Sequence, residues 1–240
     1  MNPSTRTLSV AHLGTVVYPA ALALQNAMVA ARQSEQIGDT LLLLEHPHVF
    51  TLGRGADERF LLSERSSEIP VYRVSRGGQV TYHGPGQLIA YPIVKLEGRD
   101  RDVHRYLRAL EEVMIRALGN VGIIGTRREG LTGVWVGTRK IGSIGVGIKR
   151  WTTSHGFAIN VRPDLSYFNG IVACGIEGCE ATSIATLGHD DVTVDNFAAM
   201  ISSRFSEAFG YRESIDANPV SLWNLLTSNP DALEEQHRNA

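Results

Sequence analysis

On both sides of a helical stretch at 103–118, residues 40 to 161 are a succession of short strand-like runs punctuated by glycine and proline. TLLLLEH and HVFTLG flank Pro47, VYRVS and VTYH flank the pair Gly77–Gly78, and QLIAYPIV follows a Gly-Pro-Gly turn. GVWVG, RKIGSIGVGIK and SHGFAINV then form a hairpin-rich stretch. Runs of this length, bounded by turn residues, read as strands that meander. Helical periodicity stands apart from them. Val103, Tyr106, Leu107, Leu110, Val113, Met114, Ala117 and Leu118 follow the 3.6-residue rule behind Asp102 as N-cap. Phe197, Ile201, Phe205, Ala208 and Phe209 do the same after Thr193. Ala20 to Gln36 reads as a third helix from its Ala, Leu and Gln content, and Val220 to Leu226 as a weaker fourth. Meandering strands with segregated helices predict an α+β (mixed α/β) fold, not a doubly wound one. The expected sheet is mixed and largely antiparallel, flanked by helices. One domain over residues 1–227, followed by a polar tail over 228–240, is the simplest division.

Bulk properties remove several classes of function. A chain of 240 residues with 43% hydrophobic and 20% charged residues buries a sizeable core. A net charge of −2 argues against a nucleic-acid partner. The first residues lack an apolar stretch of signal-peptide length, and the longest purely aliphatic run, Leu41 to Leu44, cannot span a bilayer. The expected setting is the cytoplasm, without a membrane partner. Two cysteines, Cys174 and Cys179, do not make a disulfide framework. With dispersed histidines they do not make a zinc site either, so no metal and no cofactor are expected.

Three segments concentrate polar chemistry. In RGGQVTYHGPGQL, residues 76–88, the glycines either serve a tight hairpin or let the backbone approach a ligand. Arg76, Gln79, Thr81, His83 and Gln87 crowd around them, and the pattern is no nucleotide fingerprint. In RKIGSIGVGIK a regular strand puts Lys140 on a face with Gly142, Ile144, Val146 and Ile148. That lysine either marks the wet end of the strand or sits in a low-dielectric site, where desolvation makes an amine a base; Gly142 leaves space beside it. In IVACGIEGCEATS, Cys174 precedes a glycine in a turn-like segment. It is either a buried structural thiol or an exposed nucleophile beside backbone N–H donors. Nothing around Cys179 is distinctive. His46, His48 and His155 are scattered and read as structural or positioning residues.

Taken together, RGGQVTYHGPGQLIAYPI, RKIGSIGV, HGFAIN and the ACGI turn resemble the lipoyl(octanoyl) transferases, within the wider group of lipoate and biotin protein ligases. The likeness runs from LLLLEHPHVFTLGR at residue 41 to Thr182–Ser183. It implies a ligase-like domain and a Cys–Lys dyad at Cys174 and Lys140. It also implies an acyl-binding groove at Arg76, Gly77, Gly78, Gln79, Val80, Thr81, Tyr82 and His83, at Ser143, Ile144 and Gly145, and at Gly156, Phe157 and Ala158. Proline often precedes the cysteine of that family; here the residue is Ala173. The implied reaction passes an octanoyl or lipoyl group from acyl carrier protein, through a thioester on Cys174, to a lysine of a lipoyl domain. Acceptors implied are the lipoyl domains of 2-oxoacid dehydrogenase complexes and the glycine cleavage H protein. Two rivals share the fold or the groove: an ATP-dependent lipoate or biotin ligase, and a non-catalytic module that binds acyl carrier protein. A monomer is expected, because no helix carries a surplus apolar stripe.

Overall fold

The computed structural model describes residues 6–62, 65–172 and 179–227. The expected tail 228–240, Ala173 and Cys174 lie outside the described residues. In chain order the elements are β1 (Thr7–Thr15), α1 (Tyr18–Gln33), β2 (Thr40–Glu45), β3 (Val49–Leu52), β4 (Val71–Arg73), β5 (Val80–His83) and β6 (Gln87–Ile93). There follow α2 (Val103–Asn120), β7 (Thr126–Arg128), β8 (Leu131–Val136), β9 (Arg139–Lys149), β10 (Thr152–Asn160), α3 (Val194–Phe209), β11 (Glu213–Asp216) and α4 (Pro219–Thr227).

Eight strands form one sheet in the order β11-β1-β2-β6-β10-β9-β8-β7. β1 runs parallel to both β2 and β11, and every other pairing in this sheet is antiparallel. The sheet is therefore mixed and largely antiparallel, as the meander of strand runs predicts. Its centre explains why Leu41–Leu44 has no polar break. Leu41 and Leu43 face the α2 and α3 side, Leu42 and Leu44 face the α1 side, and all four are buried. A strand covered by helices on both faces has no wet side on which to alternate. Both clear helical periods fold as read. Asp102 caps α2 by accepting from the Arg105 N–H at 3.0 Å, and Thr193 caps α3 by accepting from Asn196.

Two arrangements differ from the sequence reading. β4 and β5 do not pair across the Gly77–Gly78 glycines; β3 lies between them in a second, three-stranded sheet of order β4-β3-β5. The glycine segment is thus a loop between non-adjacent strands, not the turn of a hairpin. Strands β1, β7 and β11 were not foreseen. β11 is exposed along its whole length and β7 is the polar Thr-Arg-Arg, so neither carries a core-facing pattern; each is held at an edge by its neighbour's backbone.

Candidate active site

A cleft opens between the small sheet with its Arg76 loop and strands β9 and β10 of the large sheet. Its walls bring together Arg76, Gly78, Gln79, Val80, Thr81 and His83 from the first segment, and Ser143, Ile144, Gly145, Gly156, Phe157 and Ala158 from the hairpin β9–β10. Gly77 and Tyr82 belong to the same segment but do not line the cleft. Gly77 donates its N–H to the Val146 carbonyl at 2.9 Å and so docks the loop on β9. Tyr82 follows strand alternation to the far side of β5, where its hydroxyl meets His48 Nδ1 at 2.7 Å and its ring stacks on Tyr167.

Glycines set the closeness of these walls. A Cβ on Gly53 would overlap the Gly78 carbonyl, and one on Gly145 would lie 2.9 Å from Arg76 Cδ. Gly78 itself has φ +87°, a left-handed conformation that glycine adopts without strain. Arg76 is buried and holds the loop from within. Its Nη1 donates to the carbonyls of Gly77 and Gln79, and its Nη2 donates to the carbonyl and hydroxyl of Thr51 at 2.7 and 2.8 Å.

Tyr18, Tyr91 and His155 complete one wall of the cleft beside His83. Of these only the histidines are singled out by sequence; Tyr91 sits within an apolar strand run and Tyr18 at a helix start, positions with no distinguishing signal. Backbone carbonyls decide the tautomers here. The Thr182 carbonyl can only accept, so Asn160 donates Nδ2–H to it at 2.9 Å and presents Oδ1 to Gln87 Nε2. Gln87 therefore turns Oε1 to His83, whose Nδ1–H donates at 2.7 Å and whose Nε2 keeps its lone pair. By the same logic His46 donates Nδ1–H to the Val16 carbonyl and accepts the Tyr91 hydroxyl on Nε2. Burial pushes His83 and His155 down to about 3, and His46 to about 4. Neighbouring His46 and the Arg76 charge push His83 further the same way. These imidazoles are neutral near pH 7. Burial likewise raises the Tyr18 and Tyr91 hydroxyls above their ordinary range. His155 holds φ +53° inside β10, with its N–H donated to Gln25 Oε1 at 2.7 Å.

Lys140 is buried, at 5% exposure, but at a corner of the large sheet outside the cleft lining. The expected face is corrected by a register shift. Val134 faces Gly142 while Trp135 faces Lys140, so one step on β8 spans two on β9. A bulge of this kind takes Lys140 off the face of Gly142. Gly142 instead abuts Met114 of α2, and the glycine beside the amine is Gly133, whose Cβ would stand 2.7 Å from Lys140 Cε. The amine donates to the Thr132 carbonyl at 3.2 Å and lies 4.9 Å from the centre of the Trp135 ring. The Lys140 backbone also holds the chain that returns from the cysteine segment: its N–H donates to the Glu180 carbonyl and its carbonyl accepts from Thr182. On the other side of that segment Val172 donates to Phe60. Cys179 is half-buried. Among the described residues no group of three or more His, Cys, Asp or Glu side chains is placed to hold a metal ion.

The model of the lipoyl protein ligase A/B catalytic domain matches residues 17–206. The chain belongs to this family. Family members among curated proteins include an octanoyltransferase of Solibacter usitatus, 46% identical over 211 residues, which span 86% of this chain and 94% of that one. An octanoyltransferase of Gloeobacter violaceus is 44% identical over 218 residues, covering 90% and 95%. The fold is also that of a bipartite lipoate protein ligase from Thermoplasma acidophilum, solved in work on that ligase and its E2 lipoyl domain. Its TM-score is 0.67 at 18% identity, over 92% of this chain and 91% of that one. No helix among the described residues is long and apolar enough to cross a membrane.

Proposed function

We propose that this protein is an octanoyltransferase of lipoate biosynthesis that works through a thioester on Cys174. The identity of 46% to an octanoyltransferase over 86% of the chain carries the activity. The cleft supports the substrate class. Beside its polar groups it offers the glycines Gly78, Gly145 and Gly156 and the apolar Val80, Ile144, Phe157 and Ala158, which suit a straight hydrocarbon chain whose burial is worth about 0.8 kcal/mol per methylene.

In this reading acyl carrier protein brings the octanoyl group as a thioester to the cytosolic enzyme. The Cys174 thiolate attacks the carbonyl carbon, and the carrier thiol leaves with a proton. A lysine amine of a lipoyl domain then attacks the acyl-enzyme, the amide forms, and the Cys174 thiolate is released. The first step exchanges one thioester for another and the second runs downhill to an amide, so the acyl group needs no activation by ATP. Dividing the transfer this way is covalent catalysis. Lys140 serves as counter-ion to the thiolate and carries the proton between the two half-reactions. Arg76 through His83, Ser143 to Gly145 and Gly156 to Ala158 hold the acyl chain. Gly77 and Tyr82 do so indirectly, by seating the loop and the strand. The neighbour from Thermoplasma acidophilum, a ligase described together with its E2 lipoyl domain, supports the acceptor class.

A transfer assay without ATP tests the activity. Octanoyl–acyl carrier protein and a lipoyl domain should give octanoylated lipoyl domain. Free octanoate with ATP should give none; labelling only under that second condition would make the protein a ligase.

A further inference from the structure

A buried carboxylate outside the proposed dyad stands one peptide group behind Lys140. Glu111 of α2 is 1% exposed. Its Oε1 accepts the Gly133 N–H at 3.0 Å, while its Oε2 accepts from Arg108 Nη1 at 2.7 Å and Arg127 Nε at 3.1 Å. Gly133 N–H and Thr132 C=O belong to the same peptide unit, and that carbonyl is the one that receives the Lys140 amine at 3.2 Å. The path therefore runs carboxylate, amide N–H, carbonyl, amine. Hydrogen bonds in such a chain polarise one another, and a bond to an ionised group is about twice as strong as a neutral one. The corner is also built for close approach. Gly133 has φ +137°, and a Cβ there would press on both Lys140 Cε and the Gly142 carbonyl.

We infer that Glu111 is a positioning residue for the transfer reaction: through the Thr132–Gly133 peptide it fixes where the Lys140 amine stands, and Arg108 and Arg127 fix Glu111. The inference rests on reading Lys140 as the partner of Cys174. Nothing in it needs Glu111 to touch substrate. Glu111 completes a bridge between α2 and the bulged end of β8 that local sequence does not announce, because a glutamate on a helix ordinarily faces solvent.

Two variants test it, each made in the native protein and in Lys140→Ala. Glu111→Gln keeps an acceptor for the Gly133 N–H but loses the charge; Glu111→Leu loses both. In the native background Glu111→Leu should lower kcat roughly 10- to 100-fold, a fraction of what an acid–base group supplies. Its KM for octanoyl–acyl carrier protein should stay within about twofold, because the cleft is untouched. Glu111→Gln should recover much of that loss, leaving kcat roughly 3- to 10-fold down, in line with the weaker neutral bond. In the Lys140→Ala background neither change should reduce transfer further, since the group being positioned is gone. A merely structural glutamate would cost the same in both backgrounds, and that additivity would overturn the inference. If Glu111→Leu does not fold, the Gln variant decides alone, by the same comparison of backgrounds. Full transfer by folded Glu111 variants beside a crippled Lys140→Ala overturns this inference and leaves the dyad standing. Full transfer by Lys140→Ala overturns the dyad, and the inference with it.

Discussion

Lys140 and His83 are about equally buried, at 5% and 8% exposure, yet their surroundings differ in kind. Around Lys140 the protein has gathered a carbonyl, the face of Trp135 and, one peptide behind, a carboxylate held by two arginines. Around His83 it has gathered an amide oxygen and the rings of Tyr18 and His46, with the Arg76 cation nearby and no carboxylate among the causes that move it. Burial without a compensating anion makes an imidazole neutral. The molecule thus has one corner organised around a lysine amine and one cleft wall on which His83 and His155 are neutral. Under the proposed function the first holds a charge and moves a proton, and the second lines an acyl cleft whose one charged lining residue is Arg76.

The sharpest way to break this contrast is at Lys140. Transfer to the lipoyl domain should fall by roughly 100- to 10,000-fold in Lys140→Ala, the range of a lost acid–base group. Alkylation of Cys174 should move to higher pH in the same variant. Lys140→Arg separates two jobs. A guanidinium keeps the charge but does not give up its proton, so the alkylation profile should stay near native while transfer remains poor. Full transfer in Lys140→Arg would leave only the electrostatic role, and an alkylation profile unmoved in Lys140→Ala would dissolve the dyad.

A smaller effect sharpens the other side. His46, His83 and His155 are neutral in the folded protein down to about 3–4, whereas an unfolded histidine takes up its proton near 6.5. Between those values the unfolded chain binds more protons, so stability falls as pH drops through the window. Each histidine contributes up to about 1.4 kcal/mol per pH unit to that fall. His155→Asn is the clean probe. Asparagine tolerates the left-handed backbone at φ +53°, and it does not titrate. Denaturant midpoints measured from pH 7 to pH 4 should fall less steeply in this variant. An unchanged slope would mean that His155 is not held neutral by burial.

The sheet was legible because its central strands carry their burial in their composition. The unbroken Leu41–Leu44 run requires helices on both faces, and the caps at Asp102 and Thr193 fix where two of those helices begin. Edge strands β7 and β11 escaped because Thr-Arg-Arg and Glu-Ser-Ile-Asp owe their pairing to a neighbour's backbone, not to apolar side chains. The face of Lys140 was misread for a related reason. Period-two alternation assumes a regular strand, and the extra β9 residue between Lys140 and Gly142 shows only against its partner β8, which a reading of RKIGSIGVGIK alone does not contain. Likewise a hairpin at Gly77–Gly78 stayed open as one alternative because VYRVS and VTYH are neighbours in sequence; insertion of β3 between them is a non-local choice. Motif order gathered the cleft residues of three segments, but not Tyr18, which reaches the cleft from the start of α1.

The central claim is a covalent octanoyl-enzyme on Cys174, and intact mass tests it most directly. The protein is mixed with octanoyl–acyl carrier protein in the absence of a lipoyl domain and the complex is quenched in acid. The account predicts one added octanoyl group, removed by hydroxylamine, retained in a Cys179→Ala protein and missing from Cys174→Ala. The same adduct on Cys174→Ala, or native protein that transfers octanoyl groups without ever carrying one, would contradict it.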